Sequence, residues 1–185
     1  AQCVRYSGPD VDYAGAEICF SSAGDVVEIA NVSDKGAPVT LSTLAYPELG
    51  FVSQGWLTTS QRYLFVSDKA DETTFGANTR TIVIDVADLD APVYVGLYEA
   101  LTSSIDHNLY LDGGRVFQAN YTAGFRLLDI VDPETASMQE VAFFDTHPVS
   151  NAPSLDGAWS VYPFLGSGTI LVSDIQEGLF LFRLP

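Results

Sequence analysis

Apolar and polar residues alternate along most of the chain, in short runs broken by Gly, Asp, Asn and Pro. Alternation with a period of two is the pattern of half-buried β-strands. Three passages share one layout: "EIANVSDKGAPVTLST" (Glu28–Thr43), "IVIDVADLDAPVYVGL" (Ile82–Leu97) and "LLDIVDPETASMQEVAFF" (Leu127–Phe144). Each is a β-branched strand ending in an Asn/Asp-plus-aliphatic pair, then an Asp-containing turn and a second alternating strand. The closing "GLFLFRLP" (Gly178–Pro185) matches the opening of "GFRLLDIVDP" (Gly124–Pro133). With Val32, Val86, Ile130 and Leu184 taken as equivalent, the intervals are 54, 44 and 54 residues. Two further strands stand upstream in each unit, one set being "QGWLTT", "HNLYLD" and "AWSVYP", the other "RYLFVSD", "RVFQANY" and "TILVSDI". No window places apolar residues at i, i+3, i+4 and i+7 between a cap and a stop, so no substantial helix is predicted.

Four antiparallel strands per repeated unit predict an all-β chain built as a β-propeller. A sandwich would also supply many short strands, but it has no need of a blade-length period. The blades fall at about residues 1–48, 49–100, 101–147 and 155–185, in one domain or the C-terminal portion of one. The last blade has three strands ("GAWSVYPF", "GTILVSD", "LFLFRLP") and lacks its outer one, and no spare strand precedes Gln2 to complete it. Either the ring closes differently or the missing piece belongs to a larger propeller. The opening "AQCVRY" already reads as a strand and has no initiator Met, the look of a processed or cut chain.

Composition narrows the class. In 185 residues, 47% are hydrophobic and 17% charged, which suits a folded globular protein. Against 8 Lys+Arg stand 24 Asp+Glu, a formal net charge of −16. Such a surface repels phosphate backbones and anionic headgroups, so nucleic acid is disfavoured as a partner and membrane insertion is not expected. No apolar run reaches membrane-spanning length, and no basic n-region precedes an apolar stretch. Cys3 and Cys19 lie on neighbouring strand-like runs separated by the turn-rich "SGPDVDYAGA". A disulfide between them is preferred over two buried free thiols, and the acidic, Lys-poor composition fits an exported protein.

The segments "GFRLLDIVDP" and "TIVIDVADLDAPVYVG" resemble those of LVIVD-repeat proteins, a bacterial β-propeller group. With "CVRYSGPDVDYAGAEICF", "QGWLT", "FGANTRTIVIDVADLDAPVYVG", "SSIDHNLYL" and "GAWSVYPF", essentially the whole chain resembles the C-terminal part of the secreted choice-of-anchor B proteins. The resemblance implies an extracellular or cell-surface propeller with further repeats before "AQC". It carries no established reaction. One departure is Ser53, which stands where those proteins commonly have a His before "QGW".

Candidate chemistry is sparse. Aligning Tyr110 with Trp56 and Trp159 sets His107 opposite Ser53 and Asp156, at the start of the inner strands. Asp106, His107, Asn108, Ser53, Gln54 and Asp156 are therefore candidates for the channel mouth, where they would bind a cation or polar ligand or simply satisfy backbone ends and water. Asp106 and His107 are adjacent on a strand, so they point to opposite faces and form no local dyad. Zinc is disfavoured, because His147 stands far off in a "DTHP" turn and the cysteines are expected to be bonded. The acidic turn "SDKADETTFGANTR" offers Asp68, Asp71 and Glu72 as hard oxygen ligands for Ca2+, although no EF-hand spacing is present. Asp68 also aligns with Asn120 and Asp174, which favours a turn role there. No nucleophile elbow, H-E-x-x-H or phosphate-binding loop occurs. Trp56, Tyr110, Trp159, Phe143 and Phe144 are expected to fill inter-blade cores rather than form a carbohydrate platform. The sequons at Asn31 and Asn120 carry little weight in a chain of bacterial resemblance.

These readings predict a binding or structural module whose partner is another protein or the remainder of a parent chain. The alternative is a metal-dependent, hydrolase-like enzyme with its site on the propeller axis.

Overall fold

A computed structural model describes residues 1–184. Its strands form four antiparallel sheets, each ordered as in the chain. The first holds β1 (Gln2–Arg5), β2 (Glu17–Ser22), β3 (Val27–Asn31) and β4 (Val39–Leu44). The second holds β5 (Val52–Leu57), β6 (Tyr63–Asp68), β7 (Arg80–Asp85) and β8 (Val93–Glu99), with a short helix α1 (Asp71–Phe75) between β6 and β7. The third holds β9 (Asn108–Asp112), β10 (Arg115–Ala119), β11 (Phe125–Asp132) and β12 (Ser137–Phe144). The fourth has three strands, β13 (Ala158–Tyr162), β14 (Ile170–Asp174) and β15 (Gly178–Phe182). Meander sheets of this kind, stacked face to face, are propeller blades. Among the described residues, the outer strand that the sequence of the last unit lacks is absent from its sheet as well.

Each blade uses its two faces differently. Three apolar cores join neighbouring blades. Ile18, Phe20 and Ile29 of blade 1 meet Val52, Leu64, Val66, Ile82 and Ile84 of blade 2. Phe65 and Val83 of blade 2 meet Leu109, Val116 and Leu128 of blade 3. Phe117 and Leu127 of blade 3 meet Ala158, Val161, Ile170 and Val172 of blade 4. Alternation along each strand thus supplies one face per neighbour, and period two suffices for both.

The ladder also fixes which residues are equivalent. Trp56 pairs with Phe65 and Phe65 with Val83; Tyr110 pairs with Phe117 and Phe117 with Leu127; Tyr162 pairs with Leu171 and Leu171 with Leu181. The counterpart of Trp56 and Tyr110 in blade 4 is therefore Tyr162, not Trp159. Ser53 and Trp159 are extra residues at bulges, where Val52 and Gln54 face Asp68 and Ser67, and Ala158 and Ser160 face Asp174 and Ser173. This corrects the alignment made on aromatic identity. His107 stands in line with Ser53 and Trp159, and Asp156 falls outside the set.

Cys3 lies directly opposite Cys19 in the β1–β2 ladder, and the two form a disulfide. At the entry to blade 4, Gly157 adopts φ +89°, and a Cβ there would lie 2.4 Å from the Tyr121 carbonyl oxygen. Only glycine admits that approach.

Candidate functional site

Of the predicted channel residues, Ser53 and Gln54 lie on β5 and Asn108 on β9, while Asp106 and His107 precede β9 and Asp156 precedes β13; most of them are occupied in joining blades. Gln54 Oε1 accepts from the backbone N–H of Leu109 at 3.2 Å and from Asn108 Nδ2. Asn108 Oδ1 in turn accepts from Val161 N–H at 3.0 Å and from Ser160 Oγ at 2.9 Å. Gln54 and Asn108 are equivalent positions, so one device occurs twice: a carboxamide on β5 and another on β9 each accept a backbone donor from the next inner strand, while β13 has Ser160 at that position. Gln2 Oε1 makes a related bond to Leu57 N–H at 2.8 Å. Inner-edge N–H groups have no ladder partner, and burying them unpaired would cost about 1–3 kcal/mol each. Ser53 Oγ donates to the carbonyl of His107 at 3.1 Å.

His107 Nδ1–H donates to the Trp159 carbonyl at 2.6 Å, and its ring packs against Tyr121 and Trp159. Burial holds its pKa below the usual histidine range, and nearby Lys69 adds to the depression. Asp156 accepts from Ser154 Oγ at 2.9 Å and Gln176 Nε2 at 2.7 Å. Among the described residues, no cluster of three acidic, His or Cys ligands includes His107 or Asp156.

Asp68, at the end of β6, is saturated. Its carboxylate accepts from the N–H groups of Gly50 (2.7 Å), Phe51 (2.5 Å) and Ala70 (3.2 Å) and from the Tyr46 hydroxyl (3.0 Å). Asp174 does the equivalent turn work, accepting from Gln176 N–H and Glu177 N–H, both at 2.9 Å. These are side-chain turns of the kind expected where a polar residue recurs at one blade position.

The remaining acids come together. Asp71 and Glu72 open α1, and Asp106 lies two residues before β9; each offers an oxygen within 4.8 Å of the others. They are almost fully enclosed, at 1%, 2% and 0% exposure. One oxygen each of Asp71 and Glu72, and both of Asp106, have no well-aligned hydrogen-bond partner. Glu72 uses its other oxygen to accept from the Asp106 N–H at 3.1 Å. Burial raises all three carboxyls above their ordinary range, and mutual repulsion adds to the rise for Glu72 and Asp106. The structure thus joins Asp71 and Glu72, expected in one loop, to Asp106, expected at the channel mouth. The signal for that juxtaposition is the position of Asp106, which blades 2 and 4 fill with buried Val52 and Ala158.

A second uncovered feature is the outer face of blade 4, where Tyr162, Leu171, Leu179 and Leu181 point away from the third core. Tyr162, Leu179 and Leu181 are 44%, 62% and 63% exposed.

No family model matches the chain, and no curated protein matches it. Among solved structures, it is similar to the periplasmic gluconolactonase of Pseudomonas aeruginosa, with TM-score 0.66 and 14% identity over 92% of this chain and 51% of that one. It is also similar to the Swd1 β-propeller domain of Myceliophteria thermophila (TM-score 0.56, 10% identity, 92% and 48% covered). A computationally designed protein, Ika4, matches with TM-score 0.56 and 9% identity over 92% and 86%. The chain spans about half the length of the two natural proteins. At these identities the likeness concerns the fold, and the chain has the fold of a β-propeller.

Proposed function

We propose that this chain is a binding and structural module of an exported, cell-surface propeller, and that the open face of blade 4 docks against a further blade-type sheet outside these 185 residues. The observation that carries the reading is positional. Trp56, Phe65 and Val83 cover blade 3, and the equivalent Tyr110, Phe117 and Leu127 cover blade 4. The third set, Tyr162, Leu171 and Leu181, has the same chemistry but no sheet packed on it; Tyr162 meets the rings of Tyr110 and Phe164. Its occupant should be an apolar β-sheet face like those of blades 2, 3 and 4.

Blade 1 of a second copy is a poor candidate. Register places Cys3, Cys19, Ser21 and Glu28 where blade 2 has Leu57, Leu64, Val66 and Ile82. Disulfide, hydroxyl and carboxylate would replace four aliphatic side chains. The disulfide suits an oxidising compartment, and no helix among the described residues is long and apolar enough to cross a membrane. The resemblance of its motifs to those of LVIVD-repeat and choice-of-anchor B proteins is in keeping with the same assignment. The alternative of a hydrolase centred on His107 and Asp156 draws no support from geometry, since each side chain is engaged by separate neighbours.

The test is sedimentation velocity of the 185-residue chain with and without Leu179→Lys and Leu181→Lys. The expected result is concentration-dependent association and binding of an apolar dye, both abolished by the substitutions. A monodisperse monomer that binds no dye overturns the proposal.

A further inference from the structure

We propose that Asp71, Glu72 and Asp106 form a Ca2+ site that ties the loop after β6 in blade 2 to the entry of β9 in blade 3. Acidic residues that merely cluster at a surface are solvated; these are not. Asp106 is wholly enclosed and belongs to a different blade from the other two. Neither of its carboxylate oxygens has a well-aligned hydrogen-bond partner, with only the Asp68 N–H and the Ser67 hydroxyl near enough to ease its ionisation. Its equivalents, Val52 and Ala158, are apolar and fully buried, so a carboxylate here replaces a core residue. Such a substitution is costly unless something neutralises it.

The cation that acts on Asp71 is Arg80, whose Nε has no partner of its own but whose Nη1 is engaged elsewhere. Arg80 Nη1 pairs with Glu48 Oε2 at 2.6 Å, and one guanidinium cannot balance three carboxylates. The other nearby acid, Asp68, has its oxygens filled by four donors, which leaves the three-residue set distinct from it. The donors are all carboxylate oxygens, with no nitrogen or sulfur, the chemistry of a hard cation. Their mutual separation is within the span one Ca2+ bridges at about 2.4 Å per bond. Calcium's tolerance of irregular geometry suits ligands from one short helix and one loop better than the strict octahedron of Mg2+.

The experiment uses the 185-residue chain, stripped with a chelator and titrated with CaCl2 by calorimetry and thermal melting. One Ca2+ should bind per chain and raise the melting temperature. Asp106→Asn should weaken binding by more than about tenfold, the loss that even an outer partner of a bound metal can cause. In chelator, Asp106→Asn should melt no lower than the parent chain, since it removes a buried charge. Glu72→Gln supplies the same comparison if Asp106→Asn does not fold. A surface group, Asp10, Asp88 and Asp90, provides the control, and Asp88→Asn with Asp90→Asn should leave the affinity unchanged. Absence of binding up to about 10 mM, beyond the weakest extracellular sites, overturns the proposal. So does parental affinity in Asp106→Asn and Glu72→Gln, or loss of binding in the surface variant.

Discussion

Replacing Asn108 by Ala removes the acceptor that joins blade 3 to blade 4 at their inner strands. Val161 N–H, on a residue 1% exposed, then has no partner, which costs about 1–3 kcal/mol. The Ser160 hydroxyl bond is part-buried and contributes about 1 kcal/mol more. The lost Nδ2 donor leaves Gln54 Oε1 with Leu109 N–H and adds little, so Asn108→Ala should destabilise the chain by about 2–4 kcal/mol in urea unfolding. Ser160→Ala, which removes only the hydroxyl, should cost about 1 kcal/mol. The double variant should cost little more than Asn108→Ala alone, because the two changes share one interaction. Since stacked blades are stabilised largely by their neighbours, the damage should also be local. Amide exchange should accelerate in β13–β15 before β1–β4. A loss below about 0.5 kcal/mol, within the scatter of neutral surface substitutions, would refute the reasoning. Uniform acceleration across all four blades would refute it too.

Two further outcomes follow from the same structure. Cys3 and Cys19 are 16 residues apart, so replacing both by Ser should cost about 3 kcal/mol in the chain-entropy account, read as a lowered urea midpoint that a reductant does not lower further. His107 has a folded-state pKa depressed by burial, so its contribution to stability is present above the unfolded value of about 6.5 and is lost as pH falls through the folded one. The difference in melting temperature between the parent chain and His107→Gln should accordingly shrink as pH is lowered from neutral, and a constant difference would contradict the assignment.

The architecture was legible because its signals are local. β-branched runs, Asx turns and the Asn/Asp-plus-aliphatic pair recur within each blade, and the truncated copy at "GLFLFRLP" announces a sheet with one strand fewer. The cysteine pair was legible for the same reason, sitting on strands joined by a single turn-rich segment. Register on the inner strand of blade 4 was not. Trp159 resembles Trp56 in type, but it is the bulged residue in line with Ser53, and matching the two tryptophans shifts the alignment by three positions from Tyr162. That shift paired His107 with Asp156 and concealed the significance of Asp106. Once the ladder sets Asp106 level with Val52 and Ala158, a charged residue in an apolar column stands out. Its meeting with Asp71 and Glu72, more than thirty positions earlier in the chain, depends on how blade 2 packs on blade 3. No local pattern encodes that packing. The carboxamide device had a faint signal, Gln54 and Asn108 at matched positions, but polar residues on an inner strand equally suggest a ligand.

The central claim is that the outer face of blade 4 is an internal surface of a larger propeller. Hydroxyl-radical footprinting compares side-chain accessibility in the protein as isolated from its source with that in the 185-residue chain. Tyr162, Leu179 and Leu181 should be strongly modified in the chain alone and protected in the isolated protein, while exposed Val11 and Leu101 label equally in both. Equal modification of Tyr162, Leu179 and Leu181 in the two preparations would contradict the claim.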